Sequence, residues 1–233
     1  MLYIVPTPIG NLKDITLRAL EVFKEADEII CEDSRRTSLL LTHYQIKKPM
    51  IILNDFNEFR SEDMIVSKLR SGMKLALVSD AGTPLISDPG YKIIRSCIEQ
   101  GLEVDSLPGA SSVTTALTLS ALPPDKFMFI GYLPEKEGRR KTQYQNLVDI
   151  NKLIPTTFII FVAPHKLVRI LEELRENLDD PYVVLAKELT KIHQKVETKK
   201  TSEFLEKFVQ SSSSKQKIGP KGEFILMLNL NPR

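Results

Sequence analysis

From Ser79 to Gly90 the chain reads SDAGTPLISDPG, a stretch holding two Gly, two Pro, two Asp, two Ser and one Thr directly after the apolar run Leu75–Val78. Few ordinary turns need so many residues of this kind. In a parallel α/β sheet, ligands bind beyond the carboxyl ends of the strands, and glycine lets backbone amides come close to a ligand without an intervening Cβ. Gly82 and Gly90 suit that task, and Asp80 and Asp88 would supply fixed acceptors. Asp88-Pro89 also reads as a helix start, an N-cap followed by proline at the first helical position, so the ligand-facing part is expected at Asp80 to Ser87. A connector built for turn chemistry alone is the competing reading.

Three other segments carry similar chemistry. Leu107-Pro108-Gly109-Ala110-Ser111-Ser112 again links an apolar run to an apolar helical pattern, and small residues leave the N–H groups of a helix start open to a polar ligand. Thr7-Pro8-Ile9-Gly10-Asn11-Leu12 follows the first apolar run and suits either a substrate loop or a plain turn. Cys31-Glu32-Asp33-Ser34-Arg35-Arg36-Thr37 places two acids and two arginines together, where guanidinium forks suit phosphates and carboxylates could orient a hydroxyl. Lys136, Arg139, Arg140 and Lys141 form a compact basic run beside Gly138, fit for phosphate contacts or for an exposed helix start.

Other chemistries are poorly served. His165 and His193 are isolated and no Cys or His spacing resembles a metal site. There is no G-x-S-x-G elbow, no G-x-G-x-x-G fingerprint and no Walker loop.

The elements that must position these segments alternate short apolar runs with helical periods, the pattern of crossover-connected strands. Strands are expected at 2–6, 28–31, 50–53, 75–79 and 103–107, then at 127–130, 157–162, 182–186 and 224–228. Thr16 precedes Leu17, Leu20 and Phe23 at helical spacing; Ser61-Glu62-Asp63 reads as a helix start stopped by Gly72; Gly101 closes the helix opened by Asp88-Pro89. Further helices are expected at 165–177 and 202–209. Leu122-Pro123-Pro124-Asp125 interrupts the pattern and suggests a domain boundary. The expected fold is thus two α/β domains, residues 1–121 with a mostly parallel sheet and flanking helices, and residues 122–233 with a mixed sheet and helices. Ser211 to Lys217 has too little apolar surface to order and is expected as a loop.

With 233 residues and 42% hydrophobic content the chain can bury a real core. The opening MLYIVPTPIGNL is neither a signal peptide nor a membrane span, being broken by Pro6, Pro8 and Gly10. Cys31 and Cys97 are expected as buried thiols, which places the protein in the cytoplasm. Residues 1–122 carry 13 Lys and Arg against 16 Asp and Glu, the remainder 19 against 14, so the second half is the better face for a polyanion.

The segments TPIGNLKDITLRALEVFKEAD, CEDSRRT, VSDAGTPLISDPGY, LPGASSVTTAL and KELTKIHQ, in this order, identify the chain as resembling the tetrapyrrole-methylase-like superfamily of methyltransferases, and within it the members that methylate small-subunit ribosomal RNA. The resemblance spans most of the chain, and VSDAGTPLISDPGY is its most specific part. It implies a homodimer of two-domain subunits with S-adenosylmethionine in a cleft between the domains, and methylation of the ribose 2'-hydroxyl of a cytidine in 16S rRNA. Carried over by position, the cofactor would be lined by Asp80, Gly82, Thr83, Pro84 and Leu85, by Pro108, Gly109, Ala110 and Ser111, and by Pro164, Glu188, Leu189 and Thr190. Asn11, Arg35 and Arg36, with the basic run Arg139, Arg140 and Lys141, would face the RNA; no metal is implied. A ribose hydroxyl is a poor nucleophile, so a base would help, and Glu32, Asp33, Glu188 and Lys191 are the candidates. The chain departs from the family pattern at Asn54-Asp55-Phe56-Asn57-Glu58, where members carry an HEHNE-like segment. It departs again at Phe161-Val162-Ala163-Pro164-His165-Lys166, where they carry an FYESPHR-like one. It also ends at Arg233, where many members continue. The competing functions are methylation of a tetrapyrrole or other small molecule, and a non-catalytic cofactor-binding RNA module.

Overall fold

The computed structural model describes residues 1–54, 58–212 and 220–231. Among them the chain forms ten strands and eight α-helices in two compact units, Met1–Ser111 and Ser112–Arg233. Residues 55–57 of the Asn54–Glu58 segment and 213–217 of the expected serine-rich loop lie outside the described residues; Ser211 and Ser212 end a helix instead of opening a loop.

In the first unit, β1 (Leu2–Ile4), β2 (Glu28–Cys31), β3 (Met50–Ile52), β4 (Leu75–Leu77) and β5 (Val104–Ser106) form an all-parallel sheet in the order β3-β2-β4-β1-β5. Their ladders are shorter than the apolar runs, yet hydrogen bonding continues past them: Val5 N–H donates to Leu77 O at 2.9 Å, and Val78 N–H to Ile30 O at 2.9 Å. Side chains alternate across a strand, and this sheet uses both faces. Tyr3, Ile29, Cys31, Ala76 and Val78 pack with α1 (Leu17–Glu25) and α2 (Ser34–His43), whereas Leu2, Ile30, Leu75 and Leu77 pack with α3 (Glu58–Arg70) and α4 (Tyr91–Glu99). The runs of β1, β2 and β4 read as continuous apolar segments because nearly every residue in them is inside.

Two helix starts differ from expectation. Helix α3 begins at Glu58, so Ser61 lies within it and caps nothing. Helix α4 begins at Tyr91 with Gly90, not Asp88, in the cap position. Thr16 does cap α1, accepting from Ala19 N at 3.0 Å.

The second unit opens with α5 (Ser112–Leu119). Its sheet is mixed: β6 (Phe127–Tyr132) lies parallel to β7 (Thr157–Val162), while β8 (Tyr182–Lys187), β9 (Lys195–Lys200) and β10 (Phe224–Asn229) pair antiparallel, in the order β6-β7-β10-β8-β9. One face, carrying Phe158, Ile160, Val183, Leu185, Leu226 and Leu228, is covered by α6 (Glu137–Leu153), α7 (Leu167–Asn177) and α8 (Thr201–Ser212). Strand β9, KVETKK, escapes hydrophobic patterning because it is an edge strand, and such edges carry lysine. Both cysteines are free and buried, and burial pushes both thiols above their ordinary pKa. Among the described residues no helix is long and apolar enough to cross a membrane.

Candidate functional site

The loops singled out by composition converge at the carboxyl edge of the first sheet. The segment after β1 bridges the one after β4: Thr7 N–H donates to Gly82 O and Gly82 N–H to Thr7 O, both at 2.9 Å. The Thr7 hydroxyl reinforces the pair by donating to Ser79 O at 3.1 Å. Thr83 ties the β4 loop to the β5 loop, its hydroxyl donating to Ala110 O at 3.0 Å. Asp80 ties it to the β2 loop, accepting from Asp33 N–H at 3.1 Å and lying 3.4 Å from the Arg36 guanidinium. The expected cofactor residues of this unit are thereby assembled into one cross-linked rim, with Asp80 holding two loops in place.

The glycines are dictated by contacts rather than by looseness. Gly82 has φ +86°, and a Cβ there would sit 3.2 Å from Ile9 Cγ2. A Cβ on Gly109 would lie 2.6 Å from Pro6 Cβ, inside van der Waals contact with a rigid ring. Leu85 and Ser87 hold φ of 74° and 71°, a region that costs an L-residue of order 1–3 kcal/mol and that survives only where surroundings enforce it.

Strand order locates the opening in this rim. The chain leaves β2 and β1 toward one edge of the sheet and leaves β4 toward the other, so the ends of β2 and β4, like those of β4 and β1, form a switch point at which doubly wound sheets open a crevice. A tight recess lies there, lined by Cys31, Glu32, Ser79, Asp88 and Pro89, with no room for a water molecule. Asp88, read from sequence as a helix cap, is instead a wall of this recess. Its partial burial pushes the carboxyl up to about 6, Ser79 offsets this by hydrogen bonding, and the charges of Glu32 and Asp80 add to the rise.

The charged candidates divide. Glu32 is exposed and lines the recess. Asp33 caps α2: its side chain accepts from Arg35 N–H at 2.9 Å and grips the Arg35 guanidinium at 2.7 Å. These bonds hold its carboxyl down at about 2, which weakens it as a base. Arg35 remains largely exposed despite this pairing, and Arg36 extends from the same turn. Asn11 is exposed and accepts from Lys13 N–H at 3.1 Å at the start of a short 3-10 turn.

In the second unit, Glu188 and Thr190 adopt φ of 50° and 62° around buried Leu189. Glu188 accepts from Glu223 N–H at 2.8 Å and from Lys191 Nζ at 3.2 Å, while Lys191 also reaches Glu223 at 2.9 Å. The backbone bond from Glu223 is the largest influence holding the Glu188 carboxyl down, and the pairings raise Lys191 against its partial burial. A depressed carboxylate and a stabilised ammonium are both weak bases, so neither residue suits that role. Pro164 opens a 3-10 turn after β7.

Arg139 and Lys141 are exposed on α6, Lys141 paired with Glu137 at 2.9 Å, but Arg140 points inward and is only 4% exposed. Its guanidinium donates to Glu173 at 2.6 to 3.1 Å and to the carbonyls of Pro134 and Glu135, and Tyr144 OH donates to the same carboxylate at 2.9 Å. Arg140 is therefore a core residue, not an RNA contact. The signal was in the sequence: Arg140, Tyr144, Leu147 and Asn151 recur at helical spacing and are the buried face of α6. Two polar residues in that face hid the period. Among the described residues no group of three or more His, Cys, Asp or Glu is placed to hold a metal ion.

Comparison with known proteins adds the following. Residues 1–205 match the family model described as Tetrapyrrole (Corrin/Porphyrin) Methylases. A Haemophilus influenzae protein named Ribosomal RNA small subunit methyltransferase I is 42% identical over 100% of this chain and 80% of its own. One of the same name from Thermotoga maritima is 41% identical over 98% of this chain and 97% of its own. Among solved structures, a diphthine synthase superposes with TM-score 0.75 at 17% identity, covering 100% of this chain and 91% of its own. A cobalt precorrin-4 methyltransferase superposes with TM-score 0.67 at 17% identity, covering 99% and 96%. These two likenesses establish the fold, whose domain types agree with the sequence expectation.

Proposed function

The chain belongs to the tetrapyrrole (corrin/porphyrin) methylase family, and from that premise we propose that it transfers a methyl group from S-adenosylmethionine to small-subunit ribosomal RNA, at the ribose 2'-hydroxyl of a cytidine. The observation that carries the proposal is the 41% identity to the Thermotoga maritima relative named as a ribosomal RNA methyltransferase, which runs nearly end to end in both chains. The reading includes a cytoplasmic homodimer, which light scattering of the purified protein tests.

The residues at the sheet edge fit the cofactor. Gly82 sits where a Cβ would fill the space against Ile9 and approach Ala110 O, and the rim around it offers backbone polar groups together with the Asp80 carboxylate. Such a cradle suits a ligand with hydroxyl, amino and heteroaromatic groups, and Gly82, Thr83, Pro84, Leu85, Pro108, Gly109, Ala110 and Ser111 are the residues proposed to hold it. S-adenosylmethionine, when bound, supplies an electrophilic methyl group on a sulfonium. The protein then has chiefly to hold the acceptor oxygen in line, and correct orientation is worth about 7–11 kcal/mol of barrier in favourable intramolecular cases. The cross-linking of the β1, β2, β4 and β5 loops provides the rigidity that such positioning requires. Arg35, Arg36, Arg139 and Lys141 are exposed cations suited to RNA phosphates.

Purified protein is incubated with methyl-labelled S-adenosylmethionine and small subunits or 16S rRNA lacking the modification. Label on a ribose is the expected result. Label confined to a base would overturn the ribose assignment, and unlabelled RNA would overturn the proposal.

A further inference from the structure

The hairpin that joins β8 to β9 gathers lysines beyond what an edge strand needs. Lysine on β9 guards an open edge against pairing, but Lys187 lies on the inner strand, directly opposite Lys195 in the ladder. Like charges placed opposite each other across a ladder destabilise it. Lys199, four residues along from Lys195, shares their face, because side chains alternate along a strand and paired residues project to the same side. That face carries Val183 and Leu185 into the helix-covered core, and Lys207 reaches onto it from α8, 2.6 Å from Glu197. Lys195 approaches the same carboxylate at 3.2 Å, so one acid serves two ammonium groups and the stripe Lys187, Lys195, Lys199 and Lys207 keeps a positive balance.

The head of the hairpin is held stiffly. Gln194 Oε1 accepts from Thr190 N–H at 2.6 Å, Gln194 N–H donates to Lys191 O at 3.0 Å, and Glu188 and Thr190 keep their left-handed backbone within these bonds. At the turn stands Ile192, 98% exposed, the most exposed large apolar side chain among the described residues. A branched apolar side chain on a fixed backbone, beside a row of cations, matches a nucleic-acid strand whose phosphates lie on the cations and whose unstacked base covers the apolar tip.

We propose that the β8–β9 hairpin is an RNA-docking element, in which Lys187, Lys195, Lys199 and Lys207 contact the phosphates of a single-stranded segment and Ile192 packs on one of its unstacked bases. The inference deepens the ribosomal RNA reading given above and rests on it. Bases are best reached in single-stranded RNA, where they can be splayed from the stack, and phosphate contacts fix register without reading sequence. A preformed head loses little conformational freedom on binding. The hairpin thus acts in binding, without touching the reacting atoms.

The test is binding of undermethylated 16S rRNA by the full chain, titrated between about 50 and 200 mM salt. Lys187→Gln and Lys199→Gln should each lower the slope of log affinity against log salt by about 0.7–0.9, one phosphate contact, whereas Lys199→Arg keeps it. Ile192→Ser should weaken binding about tenfold or more, the scale of one isoleucine left uncovered, with the salt slope unchanged. In all of these variants S-adenosylmethionine affinity by calorimetry and the single-turnover rate at saturating rRNA should match the parent, which reports an intact fold and an untouched reaction. Lys74→Gln, an exposed cation at the amino end of β4, should leave the slope in place; an equal loss there would reduce the effect to net charge and overturn the inference. Parent-like rRNA binding by the Lys187, Lys199 and Ile192 variants overturns it too. So does loss of binding to phosphatidylserine vesicles with rRNA binding intact, which would give the hairpin to a membrane surface. An unsubstituted protein that neither binds nor labels rRNA overturns the reading beneath it as well.

Discussion

Replacement of Arg140 by methionine separates a structural cation from an RNA-binding one. The substitution keeps much of the side chain's length but withdraws the guanidinium that donates to Glu173 at 2.6 to 3.1 Å. The Glu173 side chain is 14% exposed, so its carboxylate would keep Tyr144 OH at 2.9 Å but lose the guanidinium, and the Pro134 and Glu135 carbonyls would lose its bonds as well. Breaking one side of a buried pair in this way costs about 3–5 kcal/mol, a large part of the roughly 5–15 kcal/mol that holds a domain. Arg140→Met/Glu173→Leu removes both charges. It should recover to within about 2 kcal/mol of the parent, short of full recovery because Tyr144 OH loses its acceptor at a cost of about 1–3 kcal/mol. The chain has no tryptophan, so urea unfolding is followed by far-ultraviolet circular dichroism and tyrosine fluorescence together, which also reports whether the two units unfold separately. Arg140, more than other influences, holds the Glu173 carboxyl below its usual range. That contribution to stability is present above the unfolded carboxylate pKa and fades as pH falls through the folded one, so the penalty of Arg140→Met should shrink in acid. RNA affinity of the double variant should keep the parent's salt dependence. A loss below about 1 kcal/mol for Arg140→Met, or a flattened salt dependence for the double variant, would refute the assignment of Arg140 to the core.

Three further outcomes are expected. Gly109→Ala should destabilise the first unit by about 1–3 kcal/mol, the usual cost of overpacking, because its Cβ would lie 2.6 Å from Pro6; unchanged thermal unfolding would contradict that contact. Gly82→Val should weaken S-adenosylmethionine binding at least about tenfold in calorimetry while circular dichroism reports a folded chain, since the new side chain fills the cradle at a φ of +86°; retained affinity would reduce this segment to a turn. The Asp88 carboxyl titrates near 6 in the folded protein, above its ordinary 3.8, so its neutral form favours folding and stability falls as pH rises from about 4 to 6. Asp88→Asn should abolish that part of the pH dependence, roughly 1–2 kcal/mol after allowance for solvent screening, and identical pH profiles for both proteins would exclude it.

The sequence by itself determined the elements whose apolar runs are buried on both faces, β1, β2, β4 and β7, because continuous burial leaves a continuous hydrophobic signature. It determined too that Ser79–Gly90 and Leu107–Ser112 are special, since the left-handed backbone of Gly82 and the close approach of Gly109 to Pro6 demand glycine whatever the partner. Where charge meets burial, the sequence signal was masked. KVETKK became a strand because β8 offered it a ladder, and Arg140 turned inward because Glu173, 33 residues away, was there to receive it. Asp88-Pro89 carried the local grammar of a helix cap, but the cap position fell to Gly90 and the carboxyl came to lie beside Ser79 at the ends of β2 and β4. Strand order and long-range pairing are properties of the folded sheet, and the chemistry of a carboxylate follows from which strand ends stand next to it.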